Sequence, residues 1–199
     1  MTAGSEPTHL LRDPAKMEDH LNTLKNRPHE ETAISRRRIR RSYESGHHPK
    51  FLVLVEDTDE CGKAVYYASR RAAKVGAKVI LLRVVDPFPA EVVLLGVADL
   101  MRSEAEQEAQ ALLERYQAIA QKVIDEPPEL IIREGDAARE IFDLIEADED
   151  IAMLVLAAGT STQGPGPLVS DLARTAGTYP IPVVIVPAHL SEAELDALS

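Results

Sequence analysis

The hydrophobic pattern divides the chain near residue 48. Before that point apolar residues are sparse, and prolines stand at positions 7, 14 and 28. One short helical pattern runs through "AKMEDHLNTLKN", where Met17, Leu21 and Leu24 fall at i, i+4 and i+7. Such a segment buries too little apolar surface to offset the entropy of ordering it. Residues 1–48 are therefore expected to form a mostly disordered or loosely docked arm, dispensable for folding.

From Lys50 the texture changes. "KFLVLVE" is a continuous apolar run, the pattern of a strand buried on both faces. In "DECGKAVYYASRRAAKVGA" the positions Ala64, Tyr67, Ala68, Arg71, Ala72 and Val75 give helical spacing, and Gly76 supplies the stop. "KVILLRVV" predicts a second buried strand, and "DPFP" breaks the chain after it. "LGVADLMRSEAEQEAQALLERYQAIAQKV" predicts a long amphipathic helix. "ELIIRE", "IAMLVLAAG" and "IPVVIVP" predict strands three to five. "DAAREIFDLIEAD" and "VSDLARTAG" predict the helices between them.

Strands that alternate with helices imply right-handed crossovers and a parallel sheet covered on both faces. The expected fold class is α/β, an open doubly wound five-stranded sheet of flavodoxin or Rossmann type. The expected division is an arm over 1–48, a domain over 49–187 and an acidic C-terminal tail over 188–199. Ligands of such sheets bind at the carboxyl ends of the strands, near the point where strand order reverses. That directs attention to "EDTDE", residues 56–60, and to the loop that follows Gly159.

Charge adds one feature. The net charge of the 199 residues is −11, which argues against nonspecific nucleic-acid binding by the whole molecule. Yet "SRRRIRR" places Arg36, Arg37, Arg38, Arg40 and Arg41 within seven positions. These arginines are either a solvated arm or a contact for an acidic partner, RNA or anionic lipid. The acidic run "EADED", residues 146–150, reads as a solvated helix end, and the pair His47-His48 as solvated rather than metal-bound. No apolar run approaches the length of a transmembrane helix. The N-terminus lacks the pattern of a secretory signal. One cysteine, Cys61, excludes an internal disulfide and fits a cytoplasmic location. Its place in the first turn of a helix permits a lowered pKa, though a buried, inert thiol is the favoured reading.

The chain resembles the universal stress protein family over residues 50–187. "FLVLVEDTDECGKAVYYA" is similar to that family's first strand, acidic turn and first helix. "GAKVILLRVVDP" is similar to its second strand. "IIREGDAAREIFDLIEADEDIAMLVLAAG" and "YPIPVVIVP" are similar to its remaining strands and a Gly-x-x-Ala-x-x-Ile helix start. The resemblance implies strand order 3-2-1-4-5, a Rossmann-like, adenine nucleotide alpha hydrolase-like fold. It also implies dimers, often formed through the last strand, and in one branch ATP binding. That branch is marked by Gly, two residues, Gly, nine residues, then Gly-Ser or Gly-Thr.

Here Gly159 takes the first place, but Thr162 stands where the second glycine belongs. Ser170 fits the hydroxyl position, but Val169 precedes it and the loop is three residues short. Pro165 and Pro167 each remove a backbone N–H that a phosphate would need. Asp171 adds negative charge in the first turn of the next helix. Glu56 replaces the family's usual aspartate. The candidate nucleotide site is therefore degenerate. It comprises Glu56, Asp57, Thr58, Val84, Ala158, Gly159, Thr160, Gly164, Gly166 and Ser170, with Ser170 also a plain N-cap. No catalytic set, metal or tightly held cofactor is expected. The favoured reading is a non-catalytic stress-response or signalling module, homodimeric through strand 5. The alternative is weak binding of ATP or AMP, with slow hydrolysis at most.

Overall fold

The structure, a computed structural model, describes residues 39–88, 98–159 and 165–199. Five strands form one parallel sheet: β1 (Lys50–Leu54), β2 (Lys78–Val85), β3 (Glu129–Glu134), β4 (Ile151–Ala158) and β5 (Val183–Pro187). Helices α1 (Cys61–Val75), α2 (Ala98–Ala120), α3 (Ala137–Ala147) and α4 (Pro167–Thr175) connect them, and α5 (Glu192–Leu198) follows β5. The strand order is β3-β2-β1-β4-β5, as expected.

The apolar runs behave as a sheet buried on both faces requires. Successive side chains of β1 point to opposite sides. Phe51, Val53 and Val55 join a core with Ala64, Ala68 and Ala72 of α1 and Leu113 and Tyr116 of α2. Leu52 and Leu54 join the other core with Ile141 and Ile145 of α3 and Leu172 of α4. Leu52 lies opposite Ile80 of β2 and Leu154 of β4, and all three are buried. Burying one such side chain contributes about 1.5–3 kcal/mol, so these layers hold the sheet together.

Local signals fix the helix ends. Gly76 closes α1 at φ 70°, a left-handed conformation that glycine adopts without steric cost. Asp136 opens α3 by accepting the Arg139 backbone N–H at 3.0 Å. Residues 188–199 are acidic, and most of them form α5. Ser191 and Glu194 make a reciprocal capping box at its start. Leu195 is buried in the α1/α2 core, Tyr66 donates to Asp196 at 2.8 Å and Lys63 donates to the Ala188 carbonyl. A sequence reading of charge alone misses this docking, because its buried anchor is a single leucine among acidic residues and its polar partners lie on α1.

The residues just before β1 are also docked. Arg40 donates to the carbonyl oxygens of Ile145 and Asp148 and pairs with Glu146 at 3.0 Å. Ser42 is buried and donates to the Glu149 carbonyl, and His47 Nδ1 lies 2.6 Å from Asp150 Oδ1. Lys50 pairs with Asp148 at 2.7 Å. Two expectations are corrected here. "EADED" is not a solvated helix end but the acceptor of this cationic segment, and His47 is not simply solvated. Arg40 finds its acidic partner within the chain, and Arg41 pairs with Glu44. Arg36, Arg37 and Arg38 lie outside the described residues. Among the described residues no helix is long and apolar enough to cross a membrane.

Candidate functional site

The carboxyl ends of β1, β2 and β4 converge as the fold class demands, and the β1–α1 loop crosses above them. Val55 continues β1 by donating its N–H to the Leu82 carbonyl at 2.7 Å. The chain then turns through Glu56, Asp57, Thr58, Asp59 and Glu60 into α1. Tyr116 of α2 holds this turn, its hydroxyl donating to the Thr58 carbonyl at 2.9 Å. Burial pushes the Tyr116 hydroxyl up to about 12, so it stays a donor at ordinary pH.

The predicted site residues separate into groups. Val84 and Ala158 are buried on the sheet face covered by α3 and α4. Glu56 is half-buried at the tip of β1. Burial raises its pKa, Arg83 pulls it down less strongly, and the Glu60 charge raises it further. Asp57 is exposed and pairs with Arg115 of α2 at 2.7 Å. Thr58 is exposed, and its carbonyl accepts the Tyr116 hydroxyl. Thr160 and Gly164 lie outside the described residues.

Gly159 carries the sharpest geometry. The carboxylate oxygen Oε1 of Glu60 lies 3.0 Å from where a Cβ on Gly159 would stand. A side chain there would press on the carboxylate end of Glu60, which would have to give by a few tenths of an ångström. The approaching group is a carboxylate, so the place where a phosphate loop would open is edged with negative charge.

Gly166 has φ 106° and leads directly into α4, which begins at Pro167. Proline at the first helical position is favourable, because its missing N–H would have had no partner in the helix. It also leaves one donor fewer at the helix terminus. Ser170 lies inside α4 rather than at its N-cap, which corrects that expectation. Its hydroxyl donates to the Gly166 carbonyl at 2.8 Å, and its backbone N–H donates to the same oxygen at 3.1 Å. The serine hydroxyl is thus engaged by its own helix. Asp171 is paired with Arg174 one turn on.

Cys61 begins α1 and is buried, with its Sγ 3.8 Å from the Leu54 carbonyl oxygen. Burial pushes the thiol up to about 11, the opposite of the activated thiol that the helix start permits. The sequence reading pointed to the stretch that holds Glu60 without naming it as a site residue, and it did not single out Arg83 or Arg115. Arg83 had a visible signal, a lone charge inside the apolar run "KVILLRVV". The pairing of Glu60 with Gly159 had none, since it joins two loops far apart in the chain.

The comparisons agree with this architecture. The Lactobacillus plantarum universal stress protein UspA is 23% identical, with a TM-score of 0.56 over 69% of this chain and 97% of its own. A protein of the universal stress protein family from Burkholderia pseudomallei is 19% identical, with a TM-score of 0.54 over 69% of this chain and 95% of its own. A universal stress protein in complex with cAMP is 18% identical, with a TM-score of 0.51 over 70% of this chain and 97% of its own. At these identities the likeness establishes the fold. No curated protein matches the sequence significantly. The sequence profile of the universal stress protein family matches residues 48–187, a segment that contains all five strands and both tips of the site. The chain therefore belongs to the universal stress protein family.

Proposed function

We propose that the chain is a non-catalytic, homodimeric stress-response module whose crevice between β1 and β4 has lost nucleotide binding or retains it only weakly. The observation that carries this reading is the Glu60 carboxylate packed against Gly159. A bound phosphate there would meet that charge, with the raised-pKa carboxyl of Glu56 close enough to feel Glu60 as well. Pro167 and the self-bonded Ser170 support the same reading, since both remove donors from the start of α4. Partner contacts rather than turnover would then be the output, in a reducing cytoplasm that suits a single buried thiol.

Dimerisation through β5 is part of the proposal. β5 ends the sheet, and "PVVIVP" carries no charge to discourage edge pairing. Ile185 on that strand is 39% exposed.

The alternative is an ATP- or AMP-binding member with slow or no hydrolysis. It is favoured by the retained Gly159 and by the structural neighbour that holds cAMP. Mass spectrometry of the purified, denatured protein separates the two. The proposal expects no stoichiometric nucleotide, and added ATP at millimolar concentration should leave the melting temperature within about 1 °C. A ligand at a hundred times its Kd adds about 2.7 kcal/mol, which would move the transition by several degrees. Co-purified nucleotide, or a shift of that size, would overturn the proposal in favour of the alternative.

A further inference from the structure

A second hollow opens on the other side of the β1 tip. Val84, the candidate nucleotide contact, faces α3 and α4. Its neighbour Arg83 must point the opposite way, toward the face where Val79 and Leu81 pack under α1 and α2. There Arg83 and Val85 form one wall of a cleft of about 670 Å³, and Ala109, Leu112 and Arg115 of α2 form the other. The size suits a small ligand. Its position at the strand tips is where open α/β sheets bind one.

The cleft exists because α2 presents small side chains to it, and its charges are unequally engaged. Asp57 at the rim is taken by Arg115. Glu108, also at the rim, is exposed and screened by water. Arg83 is half-buried and makes one long hydrogen bond, 3.3 Å from Nη1 to the Val55 carbonyl oxygen. It makes no ion pair among the described residues, and Glu56 is felt only as a charge nearby. A guanidinium has five N–H donors, so most of its capacity is open to the cleft. Past Val85 and Ala105 the cleft continues into a hollow of about 220 Å³ lined by Phe88, Ile132 and Arg102. The Arg102 guanidinium lies 5.9 Å from the centre of the Phe88 ring.

We infer that this cleft between β2 and α2 binds a small organic anion, its phosphate or carboxylate head on Arg83 and its apolar body along Val85, Leu112 and Phe88. The site is separate from the degenerate crevice, so it does not depend on whether nucleotide binding survives there. A guanidinium fork matches the two oxygens of such a head. The aliphatic and aromatic floor selects against bare inorganic ions.

The test is an NMR titration of the full chain with phenyl phosphate, benzoate, inorganic phosphate and benzyl alcohol. Phenyl phosphate or benzoate should bind saturably and shift the amide signals of Leu82 to Val85 and of Ala109 to Leu112. Inorganic phosphate and benzyl alcohol, each lacking half of the recognition, should bind at least about tenfold more weakly. Arg83→Gln should weaken the organic anion by a similar factor. Ala105→Leu, which leaves Arg83 in place but narrows the cleft, should also weaken it. Glu60→Gln should leave it unchanged, which distinguishes this cleft from the crevice at Gly159. Absence of saturable shifts, equal affinity in Arg83→Gln, or shifts centred on Gly159 and Ser170 would overturn the inference.

Discussion

Arg40 and Glu146 form a 3.0 Å ion pair across 106 positions of the chain, at the point where α3 ends. The same guanidinium donates to the carbonyl of Ile145 in the last turn of α3 and to that of Asp148 just beyond it, where helical carbonyls run out of partners. A cation at a helix C-terminus is also favoured by the helix dipole. The Arg40 side chain is only 16% exposed, so these contacts are shielded from solvent. Residues 39–49 therefore act as a strap over the α3–β4 corner. These contacts set residues 39–49 apart from the rest of the arm that was expected to be dispensable for folding.

The first prediction follows from that strap. Arg40→Ala leaves the half-buried Glu146 carboxylate and the Ile145 carbonyl without this donor, and the Asp148 carbonyl with only the Ile151 N–H at 3.4 Å. The loss should be on the order of 2 kcal/mol, lowering the melting temperature by roughly 4–8 °C in a chain of this size. A chain beginning at Ile39 should melt close to the full chain, and one beginning at Pro49 should melt at least as low as Arg40→Ala. Equal melting of the two truncations in scanning calorimetry would remove the strap's structural role.

Glu56 gives a prediction in pH. Its folded pKa is raised above the ordinary value of 4.5, chiefly by burial and against the pull of Arg83. Between the ordinary and the raised value the folded state binds more protons than the unfolded state. Stability must therefore fall as pH rises through that window and stay lowered above it. Glu56→Gln removes the burial cost of the charge. It should raise the melting temperature at pH 7 by roughly 1–3 °C, and the gain should vanish near pH 4, where the wild-type carboxyl is protonated. A gain that persists undiminished at pH 4 would assign the effect to packing instead.

Much of this fold was legible because the sheet is parallel. Strands buried on both faces announce themselves as runs such as "KFLVLVE" and "KVILLRVV", whereas the register Leu52–Ile80–Leu154, with its shift at Lys50/Phe51, did not show in the sequence. The missing N–H groups of Pro165 and Pro167 were legible too, since a proline deletes one wherever it sits. What stayed hidden were contacts made by polar residues distant in sequence. Arg40 looked like one arginine among five, Glu60 like one acid in "EDTDE", and Leu195 like one apolar residue in an acidic tail. Their partners are α3, Gly159 and the α1/α2 core, and no local pattern encodes those pairings.

Cys61 should be inert in the folded protein. A buried thiol held up to about 11 has almost no thiolate at pH 8, and the thiolate is the reactive form. Labelling by a disulfide reagent such as DTNB at pH 8 should follow global unfolding and become immediate in denaturant. Stoichiometric labelling within seconds under native conditions would contradict the burial.

The proposed dimer is best tested at Ile185 rather than Val184. Val184 is half-buried and packs toward the α1/α2 core, so Val184→Lys would damage folding and association together. Ile185 points to the opposite face and is already 39% exposed. A lysine there can reach water in the monomer, and its cost to folding should stay within about 1 kcal/mol. In a dimer paired through β5 the two copies of this position lie near a shared edge. Two ammonium groups would then approach each other and lose solvent, as the charged edge strands of monomeric proteins do to prevent pairing. Ile185→Lys should therefore lower the dimer fraction by at least about tenfold at equal protein concentration while keeping the native circular dichroism spectrum. Light scattering at several concentrations measures this directly. A wild-type chain that is monomeric throughout the range, or a dimer that Ile185→Lys leaves intact, would place the association surface elsewhere.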